Sequence, residues 1–261
     1  MNCLIETALL THGLRSIANE ELAQSWHCPN AILAWVDGGK LKLGPIGEYL
    51  PYRERSEELI RIDCDHLEEA LQTGASGALT ASGTMAVCRR LDIPMAITCG
   101  MGGIGDLRGE ELCPDLPALM NIPVALISTS PKDMLDRPAT LDWLRRHGVH
   151  TAGEPCTGYL FCGEPVALEL PLSSCNNEAA VRRLTANGGL LILNPIPEKE
   201  RVQDRSILVD AIKAGKQAEA EGHYYHPAAN GEIDRRTDGY SSRIQLESIQ
   251  QNYLLAKSIM D

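Results

Sequence analysis

The segment VALISTSPKDMLDRPATLDWLRRH, residues 124–147, says most about the fold class. Its first six residues are mostly apolar or β-branched without regular polar alternation, which predicts a short strand buried on both faces of a sheet. A helical pattern covers residues 132–147 directly afterwards and is interrupted at Pro138. A buried strand that passes straight into a helix is typical of α/β layer folds with a largely parallel sheet.

The same alternation of strand and helix extends over most of the chain. Strands are predicted for residues 3–10, 31–37, 40–43, 95–98, 124–129 and 190–193. Helices are predicted for residues 18–27, 67–72, 85–91, 132–147, 177–184, 207–221 and 241–260. Gly38-Gly39 predicts a hairpin between the second and third strands. We therefore predict a single domain over residues 1–261, with a three-layer α/β/α fold around a central, mostly parallel sheet.

Composition and charge narrow the classes of ligand. The 261 residues are 44% hydrophobic and 23% charged, which is typical of a globular protein with a sizeable core. Lys and Arg number 24 against 35 Asp and Glu, and the net charge of −11 opposes binding to nucleic acids or anionic membranes. Aromatic residues make up 4% of the chain, too few for base-stacking platforms. We expect a small-molecule ligand, with no nucleic-acid or membrane partner.

The cysteines and the first residues indicate the compartment. The nine cysteines form no C-x-x-C pair, so reduced, mostly buried thiols of a cytosolic protein are the simplest interpretation. The start MNCLIETALLTHGL lacks a basic region and a small-residue cleavage site. We therefore predict a cytoplasmic protein.

Two charged residues follow predicted strands, at the sheet edge where α/β folds bind ligands. Glu6 lies within or at the end of the first strand, and a carboxylate in an apolar strand indicates either a site or a solvated edge position. Lys132 opens the helical stretch, where the positive end of a helix lowers the pKa of an amine and favours its neutral, nucleophilic form. Most lysines are solvated surface charges, so this second interpretation remains a hypothesis.

Two small-residue segments are candidates for anion and metal binding. Thr80-Ala-Ser-Gly-Thr84 opens a predicted helix, and such a terminus suits a phosphate, although a capped helix start is the simpler interpretation. Thr98-Cys-Gly-Met-Gly-Gly-Ile-Gly105 is a glycine-rich turn, and the carboxylates that follow it, including Glu111 and Asp115, could bind a hydrated divalent cation, although a flexible surface loop with solvated charges is the simpler interpretation. The pair His223 and His226 could also ligate a metal, but surface positions are the simpler interpretation.

Taken together, these motifs resemble the pseudouridine-5'-phosphate glycosidase family, also called indigoidine synthase A-like. The resemblance covers almost the whole chain and is most specific at Asn187-Gly-Gly and Asn194-Pro-Ile-Pro-Glu198. The other matching segments are Glu6-Thr-Ala-Leu-Leu-Thr-His12-Gly13, Thr98 to Gly103, Asp115-Leu116 and Lys132 with its downstream Thr140 to Val149. The resemblance implies an α/β/α fold, a homotrimer, a Mn²⁺ ion, and reversible cleavage of pseudouridine 5'-phosphate into uracil and ribose 5-phosphate.

The resemblance also implies a role for each matching residue. Lys132 corresponds to the Schiff-base nucleophile and Glu6 to the proton donor that opens the sugar ring. Glu111 falls at the position of the metal ligand. The positions that correspond to substrate contacts are Arg61, Thr80, Ala81, Cys113, Pro114, Asp115 and Gln245.

Three of these positions depart from the family pattern. Arg61 stands where the family has Lys, Cys113 where it has Ser, and Gln245 where it has Asn. The arginine at position 61 remains charged and cannot give up its proton, so it cannot transfer a proton as a lysine could. Its guanidinium can instead bind an anion in a bidentate manner. These departures bear on the substrate more than on the imine chemistry. A C-glycoside synthase and a non-catalytic sugar-phosphate binding protein are therefore the alternatives to a C-glycosidase.

Overall fold

A computed structural model describes residues 2–105, 113–155, 157–223 and 225–260. The strands are β1 (Cys3–Ile5), β2 (Leu33–Asp37), β3 (Lys40–Gly44), β4 (Ile60–Ile62), β5 (Gly77–Leu79), β6 (Met95–Ile97), β7 (Gly100–Met101), β8 (Ala125–Ser128), β9 (Ser130–Pro131), β10 (His150–Gly153) and β11 (Leu190–Leu193). The helices are α1 (Asn19–Ser25), α2 (Ile46–Arg53), α3 (Leu67–Thr73), α4 (Ala81–Arg90), α5 (Asp115–Asn121), α6 (Arg137–Arg146), α7 (Glu178–Leu184), α8 (Ser206–Ala220), α9 (Tyr225–Arg236) and α10 (Tyr240–Met260).

The central sheet runs in the order β10-β11-β8-β6-β1-β2-β5-β4, and β3 pairs with β2. β2 is antiparallel to β3 and β5, whereas the other neighbours in this sheet are parallel. β7 and β9 form a separate short parallel pair. The β2–β3 hairpin confirms the turn predicted at Gly38-Gly39, where both glycines have positive φ angles.

Successive residues of the central strands face two separate hydrophobic cores. Ile97 and Ile127 point into a core that includes residues of α8, α9 and α10, whereas Ala96 and Leu126 point into a core that includes residues of α3, α4, α5 and α6. Both faces of the sheet are therefore covered by helices, which explains why the strands are apolar without alternation. The predicted three-layer α/β/α fold is confirmed.

Two predicted elements differ from the structure for local reasons. The first strand is predicted to reach residue 10, but β1 ends at Ile5. Beyond it the Thr7 side chain replaces backbone groups in the hydrogen bonding between strands, because its hydroxyl donates to the Ala34 carbonyl and accepts from the Leu79 N–H. A π-helical turn, Leu9–Gly13, follows. The helix predicted over residues 132–147 begins at Arg137, so Lys132 precedes it instead of opening it. Pro138 does not interrupt this helix: it lies in the first turn of α6, where a missing N–H costs little, and the Asp136 side chain caps that turn.

No helix in the described part of the chain is long and apolar enough to span a membrane. The single-domain organisation over residues 1–261 stays a prediction.

Candidate active site

The predicted site residues converge on one depression at the ends of the central strands. An inner chamber adjoins a wider outer cleft of about 1720 Å³, and Arg61, Thr80, Asp115 and Lys132 line both spaces. Glu6, Ala81 and Gln245 line the inner chamber, and Cys113 and Pro114 line the outer cleft. Each predicted site residue that the structure describes therefore reaches the depression, while Glu111 lies outside the described residues.

Glu6 is a buried acid that is partly protonated near neutral pH. It directly follows β1, and its side chain is 6% exposed. Burial raises the pKa of Glu6 to about 7, and the Thr98 hydroxyl, which donates to Oε1 at 2.6 Å, opposes part of this rise. The interpretation of Glu6 as a solvated edge residue is therefore wrong, and the carboxyl group can supply a proton at physiological pH.

Lys132 presents its amine to the inner chamber. It directly follows β9, and its backbone N–H donates to the Met101 carbonyl at 3.2 Å. Burial and the nearby Arg61 charge lower the pKa of Lys132, which favours the neutral amine. Within the described residues, no side chain or carbonyl forms a hydrogen bond or ion pair with Nζ. The amine is therefore available to react rather than engaged in a structural contact.

Asp133, the residue after Lys132, holds a neighbouring loop in place through its carboxylate. Asp133 accepts three backbone hydrogen bonds, from Tyr159 at 2.9 Å, Leu160 at 2.7 Å and Phe161 at 3.0 Å. This places the Tyr159 ring in the wall of the inner chamber. The Tyr159 hydroxyl donates to Oε1 of Gln245 at 2.9 Å, and Nε2 of Gln245 donates to the Ser241 carbonyl at 3.0 Å. Gln245 is thus a buried wall residue whose amide is already hydrogen-bonded.

Asp115 joins three segments at the mouth of the chamber. Its Oδ1 accepts the Ser82 N–H at 3.1 Å, and its Oδ2 accepts the Gly102 N–H at 2.8 Å. A side chain at Gly102 would overlap Cys113, so only glycine allows this close approach. Burial and the Asp115 charge raise the pKa of Cys113 to about 12, so this thiol remains protonated and is a poor nucleophile.

Arg61 and the start of α4 form an anion-attracting corner. Arg61 lies in β4 and is exposed, and it makes no hydrogen bond or ion pair with any described residue. Thr80 caps α4 by accepting the Gly83 N–H at 3.3 Å, and Ala81 is the first residue of that helix. An unpaired guanidinium beside a positive helix end is suited to an anionic group.

Sequence reasoning missed two histidines in this depression. His226 is half-buried and lines both spaces, so its interpretation as a surface residue is wrong, whereas His223 is exposed as expected. His12 was noted only as part of a motif. Its Nε2 donates to the Leu59 carbonyl at 3.0 Å, which leaves Nδ1 as an unpaired buried acceptor. The signal for His226 was its spacing from His223, but α9, which carries it, was not predicted.

The part of the chain that the structure describes does not test the metal prediction. In these ranges no three His, Cys, Asp or Glu side chains lie together as a metal site. Asp115, the nearest candidate, uses both oxygens to accept backbone N–H groups. Glu111, the predicted Mn²⁺ ligand, is outside the described residues, so manganese stays a prediction and no chemical step below depends on it.

Comparison with known proteins agrees with this geometry. The chain is 28% identical over 276 residues to a pseudouridine-5'-phosphate glycosidase of Methylobacterium nodulans, covering 98% of this chain and 81% of that protein. It is 27% identical over 277 residues to the corresponding protein of Petrotoga mobilis, covering 98% and 89%. The prediction of an enzyme that resembles pseudouridine-5'-phosphate glycosidases is confirmed.

Two solved structures share the fold. The crystal structure of the prealnumycin C-glycosynthase in complex with ribulose 5-phosphate has a TM-score of 0.77 and 22% identity, covering 98% of this chain and 91% of that one. An indigoidine synthase A-like protein from Thermotoga maritima has a TM-score of 0.75 and 19% identity with the same coverage. The model of the family described as "Indigoidine synthase A like protein" matches residues 4–260. The chain therefore belongs to the family of indigoidine synthase A like proteins.

Proposed function

We propose that this chain is a C-glycosidase that reversibly cleaves pseudouridine 5'-phosphate, or a related phosphorylated C-riboside, to a free base such as uracil and ribose 5-phosphate. The main support is that a proton-bearing Glu6 and an amine with a lowered pKa, Lys132, line the same inner chamber. The names of the relatives described above agree with this substrate class.

The bond to be broken explains why both groups are needed. A base joined through carbon is a poor leaving group, so protonation by one carboxyl group is not enough to release it. An imine between a lysine and the sugar carbon C1' accepts the electrons that hold the base and lowers this barrier. The imine needs an open sugar ring and an uncharged amine.

In the proposed reaction Lys132 acts first, as the nucleophile. Nζ of Lys132 bonds to C1' as the C1'–O4' bond breaks, and the Glu6 carboxyl proton passes to O4'. The nitrogen then loses a proton, and its lone pair forms the C1'=N bond as the bond from C1' to the base breaks and the base carbon takes up a proton. Water hydrolyses the iminium, which releases ribose 5-phosphate and the free amine, and the proton from this step returns to Glu6.

The phosphate is proposed to bind between Arg61 and the first turn of α4. Arg61 lacks a protein partner among the described residues, and Thr80 and Ala81 line the same chamber. A phosphate dianion provides acceptors that fit a guanidinium and a helix start. Because Arg61 lowers the pKa of Lys132, the same cation also favours the reactive form of the amine.

Three further properties remain proposals. We propose a homotrimer and a Mn²⁺ ion bound through Glu111, both implied by the family. A cytoplasmic location agrees with the free cysteines, eight of which lie in the described ranges.

Trapping and product analysis test the function. We expect wild-type protein to release uracil from pseudouridine 5'-phosphate, and to form pseudouridine 5'-phosphate from uracil and ribose 5-phosphate. Borohydride added with ribose 5-phosphate should attach the reduced sugar phosphate to the peptide that contains Lys132. Other heterocycles assayed in the synthetic direction separate a glycosidase from a C-glycoside synthase. Absence of both turnover and adduct would contradict the proposal.

Arg61→Gln should weaken binding of phosphorylated substrates. Loss of a charge-assisted contact of about 1.5–3 kcal/mol predicts a KM higher by roughly 10- to 100-fold for pseudouridine 5'-phosphate, with little change for unphosphorylated pseudouridine. Arg55→Gln is the matched control, since this exposed arginine pairs with Asp37 and Glu58 away from the chamber. An equal effect of Arg61→Gln on both substrates would show that Arg61 does not bind the phosphate.

A further inference from the structure

His226 lines the chamber in which the proposed reaction needs a carrier for one proton. It is in the first turn of α9, which places its ring in the walls of the inner chamber and the outer cleft. The chamber wall also contains Lys132 and Glu6. In the proposed reaction Glu6 regains its proton only at hydrolysis, so the transfer of a proton from the lysine nitrogen to the base carbon has no assigned carrier.

The imidazole is neutral and unpaired. Nδ1 is buried without a hydrogen-bond partner among the described residues, an arrangement that costs stability and that proteins seldom keep without a use. Burial, followed by the charges of Lys132 and Arg61, lowers the pKa of His226 to about 2. After Lys132 has bonded to C1', its nitrogen carries a positive charge until it loses a proton. When that proton leaves, the Lys132 charge no longer opposes protonation of His226, and the affinity of the imidazole for a proton rises.

On the basis of the proposed function, we propose that His226 takes the proton from the Lys132 nitrogen and delivers it to the base carbon as the bond from C1' to the base breaks. The proton moves first from Nζ to the imidazole, which becomes imidazolium. It then moves to the base carbon, while the Nζ lone pair forms the C1'=N bond. His226 ends the cycle neutral, and no other reactant is consumed.

A glutamine at position 226 tests this role because its amide preserves polarity but cannot carry a proton. We expect His226→Gln to lower the rate of uracil release by about 100-fold or more, within the range for general acid–base groups. Borohydride trapping with ribose 5-phosphate should remain within about twofold of wild type, since that imine forms without a base to protonate. Acid-quenched reactions should contain Lys132 bonded to the whole nucleotide, because the step after nitrogen attack is slowed.

His27→Gln is the matched control, because this histidine is exposed and lines neither the inner chamber nor the outer cleft. We expect it to leave the rate of uracil release within about twofold of wild type. His226→Ala should regain uracil release when imidazole is added to the buffer. Melting temperatures of all variants report whether they fold.

The outcomes separate the two proposals. If wild-type protein neither turns over nor traps the sugar, the proposed function fails. If wild type is active and His226→Gln releases uracil at nearly the wild-type rate, the role of His226 is overturned. Parallel loss of trapping and turnover in both His226 variants, without rescue by imidazole, would also overturn it and indicate a structural residue.

Discussion

Lys132→Met is expected to abolish turnover, with a loss of about 10⁴-fold or more, because no other lysine of the described residues lines the depression and could form the imine. Methionine has a similar length and lacks the charge that burial penalises. The free energy of unfolding should therefore rise or stay unchanged, since the folded state lowers the pKa of Lys132 and so disfavours its cation. Uracil release and thermal unfolding measured on the same preparation separate chemistry from folding.

Lys42→Met is the control for this substitution. Lys42 is an exposed residue of β3 outside the depression, so activity should be unchanged. A Lys132→Met protein that still cleaves the C–C bond would rule out the imine. If wild type never turns over, a Lys132→Met protein that binds ribose 5-phosphate as tightly as wild type does would favour the alternative of a sugar-phosphate binding protein.

Glu6→Gln is expected to give the second-largest effect and a change in pH dependence. Below pH 7 the wild type should exceed this variant by about 10²- to 10⁴-fold, since Glu6 is then protonated and donates to O4'. Above pH 7 the carboxyl proton is lost, so the ratio of the two rates should fall about tenfold per pH unit. Rates of uracil release from pH 5 to 9 measure this ratio.

Thr98→Val refines the same test. The Thr98 hydroxyl donates to Glu6 and stabilises its anionic form, so removing it raises the pKa of Glu6 further. The pH above which the rate of uracil release falls should therefore be higher in Thr98→Val than in wild type. A ratio of wild type to Glu6→Gln that is independent of pH would show that Glu6 is not the proton donor.

The strands that form the centre of the sheet could be predicted from sequence because burial on both faces leaves a local apolar pattern. Residues 95–98, 124–129 and 190–193 were predicted within one or two residues of β6, β8 and β11. β4 and β5 lie at one end of the sheet order, and β4 carries Arg61, a polar residue that breaks the pattern. The resemblance, rather than periodicity, indicated this position.

The site was predictable where its residues follow strands and unpredictable where distant helices close it. Glu6 and Lys132 follow β1 and β9, so their positions in the chain indicated their role. His226 belongs to α9, whose Pro227 and Asn230-Gly231 disfavour helix prediction, and the helix forms because Ile233 and Ala229 are buried in the core. Tertiary packing, which a local pattern does not contain, brings this imidazole to the chamber.

The attachment of residues 159–161 to Asp133 bears on how such an enzyme diversifies. All three bonds involve main-chain N–H groups, which every amino acid except proline supplies. The chamber wall beside the reactive amine can thus accept new side chains without losing its attachment. Substrate range and reaction chemistry are separable here, so directed evolution aimed at other heterocycles should begin with Tyr159, the residue of the three that lines the chamber.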